Sequence, residues 1–120
     1  MDKDYIVEYD EFMNRFKLTE VSGEEVGMLI MRMAHYFARY NVRYSDALRA
    51  FRVRAQEISN TTDAATGKAI TAAKAEVAAD ATPEAAAYEE ARVHVQNIEQ
   101  SINALKALQR GVLFEYANSA

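Results

Sequence analysis

Two long stretches of this chain repeat an apolar residue every three or four positions, and that period admits few folds. The first runs Val26, Ile30, Met33, Phe37, Tyr40, Tyr44, Leu48, Phe51, Ala55, Ile58; the second runs Tyr88, Ala91, Val95, Ile98, Ile102, Leu105, Val112, Tyr116, with Gln109 interrupting. Such steps place the side chains on one face of an α-helix, whereas a strand alternates at every second residue. Start signals frame both stretches. Ser22-Gly23-Glu24-Glu25 has the form of a capping box, the serine hydroxyl accepting from the amide three residues on and Glu25 reaching back. Thr82-Pro83-Glu84 combines a capping threonine, a proline suited to the first helical position and an acid that complements the helix dipole. The polar run Ser59-Asn60-Thr61-Thr62-Asp63 closes the first stretch. The pattern predicts helices over 23–58 and 83–116, each about 50 Å long. Their matched lengths imply side-by-side packing, with an antiparallel hairpin preferred.

Two shorter elements complete the reading. Tyr5, Tyr9, Phe12 and Phe16 follow the helical period and predict a short helix over 4–18, whose aromatic stripe must dock on something. Residues 59–87 hold twelve alanines in 29 positions. Gly67 is expected in the connection and Thr71 as the cap of a short helix over 72–80; the alternative is that the first long helix continues through the alanines. One proline and four glycines suit such a chain. The expected fold class is all-α: a long helical hairpin with a short N-terminal helix and a short Ala-rich connecting helix, one domain over residues 1–120, assembled as an oligomeric bundle.

The oligomer is expected because each long helix carries a second seam. Opposite the first stripe lie Met28, Met31, His35, Val42, Arg49 and Val53, and on the last helix Val93, Asn97, Gln100, Ala104, Ala107 and Gly111. A helix apolar on two sides is buried on two sides, and closed homo-oligomers are the usual way to cover the second.

Several chemistries are set aside. Without cysteine there is no disulfide or Cys-based zinc site. His35 and His94 lie on different helices and outside any H-E-x-x-H spacing, so neither a metal nor a cofactor is expected. The adjacent acids Glu24-Glu25 and Glu89-Glu90 face different directions, Gly67-Lys68 lacks the glycines of a phosphate loop, and no serine is placed as a nucleophile; the chain is not expected to be an enzyme. Met1-Asp2-Lys3-Asp4 lacks a signal-peptide core and no apolar run reaches membrane length, so a cytoplasmic location is expected.

Charge is unevenly placed. Residues 31–55 hold six arginines (Arg32, Arg39, Arg43, Arg49, Arg52, Arg54) and one acid, Asp46, a net of +5 in a chain whose total is −4. Arg32, His35, Arg39 and Arg43 fall within roughly 80° of one another on a helical wheel, with Tyr36, Tyr40 and Tyr44 along one flank. Arginine presents a planar fork of donors suited to phosphate, and tyrosine rings stack on bases. Arg32, His35, Tyr36, Arg39, Tyr40 and Arg43 are therefore candidate ligand-binding residues, with Arg92, Asn103 and Arg110 on the last helix as second contributors. The plainer reading is that these arginines pair with acids elsewhere in the chain or in a partner subunit. Overall acidity weighs against long nucleic acid, whose affinity comes from many phosphate contacts.

From about residue 62 to 116 the chain resembles small helical proteins encoded by bacteriophages. The resemblance is carried by Thr71-Ala72-Ala73-Lys74-Ala75-Glu76, by Tyr88-Glu89-Glu90-Ala91 and by the segment from Asn97 to Arg110. It implies a phage origin, and with it a host-cell cytoplasmic location, a helical-hairpin fold and no catalysis. Some proteins of that kind are oligomeric sponges that sequester nucleotide signals of host defence. The leading expectation is a non-enzymatic oligomer that sequesters a small anionic, nucleotide-like ligand. The alternatives are an accessory of phage DNA recombination that binds single strands or a recombinase, and a structural or protein-interaction module without a small ligand. No membrane partner is expected.

Overall fold

The computed structural model of the chain describes residues 4–18 and 20–119, with the side chains of residues 18 and 115–119 outside that description. Tyr116 of the second stripe therefore lies outside the described side chains. Four helices follow in order: α1 (Tyr5–Leu18), α2 (Gly23–Ser59), α3 (Ala72–Asp80) and α4 (Pro83–Ser119). No strand occurs among the described residues; one isolated antiparallel bridge joins Thr62 to Ala69.

The helix starts are built from local side chains. Asp4 accepts from the Ile6 amide at 3.2 Å, Ser22 from Glu25 at 3.1 Å, Thr71 from Lys74 at 3.3 Å and Thr82 from Ala85 at 3.2 Å. Each satisfies one of the amides a helix start leaves without a partner. The box at Ser22 forms on its serine side. The Glu25 carboxylate goes to Arg15 on α1, 2.5 Å away, because a cation within reach outbids its own backbone amide.

Helix α2 ends at Ser59, and it does not continue through the alanines. Thr61 and Ile70 share a main-chain bond of 3.1 Å, Asp63 donates to the Lys68 carbonyl at 2.7 Å, and Gly67 donates to the Asp63 carbonyl at 2.8 Å. Gly67 takes φ +67°, the left-handed conformation that lets the chain turn back here. Asp63 fastens the turn, accepting from Ala65 at 2.9 Å and from the Lys74 ammonium at 2.7 Å.

The helices form two compact units. The first comprises Met1–Arg39 with Gln96–Ala120, the second Tyr40–Val95. In the first unit the buried side chains are Tyr5, Phe12, Val21, Val26, Leu29, Met33, Ile98 and Leu105. The aromatic stripe of α1 docks here, with Tyr5 against Tyr36 at a ring separation of 6.3 Å. Burying each of the larger apolar side chains contributes about 1.5–3 kcal/mol. Within this unit α2 and α4 run antiparallel and come close at two glycines. A methyl group added at Gly23 would stand 2.9 Å from Leu113, and one at Gly27 would stand 2.9 Å from the Gln109 amide nitrogen. Gln109, the interruption in the apolar stripe, donates to the Gly23 carbonyl at 3.0 Å.

The second unit has a smaller core: Ile58, Ala75 and Ala79 are buried, with Phe51, Ala55 and Ile70 packed against them. Alanines on α3 let that short helix lie close to α2. Here too α2 and α4 are antiparallel, Tyr40 meeting His94 and Tyr44 meeting Tyr88.

Candidate functional site

The predicted ligand residues divide between the two units, and local partners engage most of them. In the first unit Arg32 lies 3.6 Å from the Glu8 carboxylate of α1. Tyr36 is half-buried between α1 and its own helix; burial, and then the negative charge of Glu8, push its hydroxyl above the usual tyrosine range. The Arg39 guanidinium lies over the Tyr36 ring, 5.9 Å from its centre. His35, Asn103 and Arg110 are exposed. A cleft of about 270 Å³, lined by Glu8, Glu11, Phe12, Arg15 and Arg32, takes in Arg32 and none of the other predicted residues.

In the second unit the Arg43 guanidinium lies 4.7 Å from the centre of the Tyr40 ring, and that ring packs on His94 at 5.3 Å. Arg92 grips Glu89 through two of its nitrogens. That hydrogen bond holds the Glu89 carboxyl below the usual range and raises the guanidinium further. Tyr88, outside the predicted set, is the centre of an aromatic stack. Its ring lies 5.5 Å from Tyr44 and 5.6 Å from Phe51, and the hydrogen bond it shares with the Tyr44 hydroxyl, 3.5 Å away, pushes the Tyr88 hydroxyl above the usual tyrosine range.

A common local rule explains this. Arg39 stands three residues after Tyr36, Arg43 after Tyr40, Arg49 after Asp46 and Arg92 after Glu89. On a helix that spacing brings side chains together, so each arginine meets a ring or an acid of its own helix. The i, i+3 spacing was the available signal for these pairs. The sequence marked Tyr5 as part of a stripe that must dock, but nothing in it pointed to Glu8, or to Arg32 and Tyr36 as the residues α1 would meet, since that docking is tertiary.

A second cleft, about 440 Å³, lies in the second unit between Asp46, Arg49, Ala50, Val53, Arg54, Glu57 and Glu84, all outside the predicted set. Arg49 pairs with Asp46 at 3.7 Å and Arg54 with Glu57 at 3.0 Å. Among the described residues no cluster of three or more metal-ligating side chains occurs, and no helix is long and apolar enough to cross a membrane. Comparison with protein families, curated proteins and solved structures returns no match to this chain.

Proposed function

We propose that the protein is a non-enzymatic helical interaction module that acts as a homo-oligomer, its working surface being the exposed side of α2. One observation carries this reading: large apolar side chains that share one face of the helix stand open to solvent there. Met28 and Met31 are 55% and 73% exposed in the first unit, and Val42 and Val53 are open in the second. Single exposed apolar residues are ordinary, but a repeating row on one helix face is the form a helix partner fits. Local engagement of Arg32, Arg39, Arg43 and Arg92 supports the same reading, since their charge serves cohesion. Light scattering on the full chain at micromolar concentration tests it. A mass of two or more chains is expected, and a monomer at every concentration overturns the proposal.

A second reading keeps the small anionic, nucleotide-like ligand, and with it the phage origin and the sequestering role. The guanidinium-over-tyrosine pair at Arg43–Tyr40 favours it, because stacking on a ring leaves the donors at the edge of that guanidinium suited to phosphate. Calorimetry with mono-, di- and cyclic oligonucleotides decides. Binding lost in Arg39→Ala or Arg43→Ala supports it; absence of binding by every member removes it.

A further inference from the structure

Within the second unit the exposed side of α2 carries a short row with an internal symmetry. Val42, Asp46, Arg49 and Val53 follow at steps of four, three and four, which places them within about 60° of one another around the helix. All are open: Val42 is 60% and Val53 54% exposed, and the side chains of Asp46 and Arg49 are 66% and 77% exposed. The spacing is the same read in either direction, and reversal exchanges the acid with the arginine. The midpoint lies between Ala47 and Leu48.

We propose that this row is a self-complementary docking face, on which α2 of a second copy lies antiparallel about a two-fold axis through that midpoint. The inference rests on the self-association reading above and names its geometry. In this register Val42 meets Val53 of the second copy, and Asp46 meets Arg49 of the second copy. Each contact occurs twice, as a two-fold interface requires. Asp46 and Arg49 already stand 3.7 Å apart in one chain; two copies make a ring of four alternating charges between two apolar layers.

Charge selects the direction. A parallel, in-register pair would set Asp46 on Asp46 and Arg49 on Arg49, like charges at contact distance, whereas the antiparallel pair sets only opposites together. The flanks agree. Ala50 comes opposite Arg43 of the second copy, and Ser45 opposite Arg52 of the second copy, so a small side chain receives the stem of a long one. The cleft of about 440 Å³ borders the row on the Ala50 side and is lined there by Arg54, Glu57 and Glu84. One Glu84 carboxylate oxygen is buried without a hydrogen-bond partner. Of these acids Glu84 is the one open to Arg43 of the second copy, since Glu57 already pairs with Arg54 at 3.0 Å.

The test uses charge reversal at exposed positions in the full chain, followed by sedimentation equilibrium. Asp46→Arg alone, or Arg49→Asp alone, places two like-charge pairs in the interface and is expected to raise the dimer dissociation constant by about tenfold or more. Mixing the two variants restores every opposite pair, so a heterodimer with near-wild-type affinity is expected; so is recovery in the Asp46→Arg/Arg49→Asp double variant. The chain has no cysteine, so a Val42→Cys protein mixed with a Val53→Cys protein gives a clean second measurement: a disulfide-linked dimer of the two, formed faster than Val42→Cys with itself. Monomeric wild type at all concentrations overturns both this inference and the self-association reading. An oligomer whose mass ignores the single reversals overturns this docking face and leaves that reading standing.

Discussion

The side-chain amide of Gln109 donates to the main-chain carbonyl of Gly23, 3.0 Å away, at a point where α2 and α4 approach through Gly23 and Gly27. A polar residue in an apolar stripe thus has a structural task. Gln109→Ala is expected to cost about 1 kcal/mol, the net worth of one such bond. Gly27→Ala gains helix propensity, about 0.5–1 kcal/mol, but its methyl meets the Gln109 amide nitrogen. The gain should therefore appear in full only in the Gln109→Ala background. Urea unfolding of the four proteins in a double-mutant cycle measures the coupling.

Phe51 and Tyr88 stack with an interplanar angle of 3° over the small core of the second unit. Removing that ring leaves a cavity against Tyr88 and exposes Ile58. Phe51→Ala is expected to destabilise by about 2–3 kcal/mol, below the full-core value because Phe51 is half-buried. Val53→Ala, two residues away and exposed, should change monomer stability by no more than about 0.5 kcal/mol. Chemical denaturation at low protein concentration compares them.

Lys74 donates to Asp63, and that bond, with the Ala65 amide, holds the Asp63 carboxyl below its ordinary value of 3.8. A carboxyl depressed in the folded state stabilises it fully above the unfolded pKa, and the contribution disappears as pH falls through the folded one. Wild type should therefore be more heat-stable than Asp63→Asn at neutral pH. The difference in melting temperature should shrink below about pH 4 as the carboxyl takes up its proton. A gap that stays constant down to pH 2 would show that the bond is not the source.

Gly67 turns the chain between α2 and α3 at φ +67°. Nothing crowds the position, so the cost of Gly67→Ala is conformational alone, about 1 kcal/mol. Thermal unfolding measures it, and Ala64→Gly in the same loop serves as the comparison.

The helices were legible because their causes are local. The three-and-four spacing of Val26 to Ile58, the caps at Ser22, Thr71 and Thr82, and the proline at the head of α4 act over a few residues, and the structure places helix boundaries beside them. The candidate site was less legible. Arg32, Arg39, Arg43 and Arg92 were singled out by charge, yet their neighbours at i−3 or on α1 decide what they do. Asp46 and Arg49 were visible as one acid in a basic run and one cation in a second seam, but their joint symmetry shows only once their exposure is known.

The sequence by itself determined four helices, two of them long, and a second apolar seam on α2, since periodicity, capping and composition are written in neighbouring residues. Only the tertiary structure decided between a stop after Ser59 and a helix continuing through the alanines, and showed how Asp63, bonded to Lys74, holds the turn. It also decided that α1 brings Glu8 and Tyr5 onto Arg32 and Tyr36, and that Gln109 belongs at a close helix crossing. Those outcomes depend on which faces meet across long separations in the chain, where packing and hydrogen-bond satisfaction outweigh local preference.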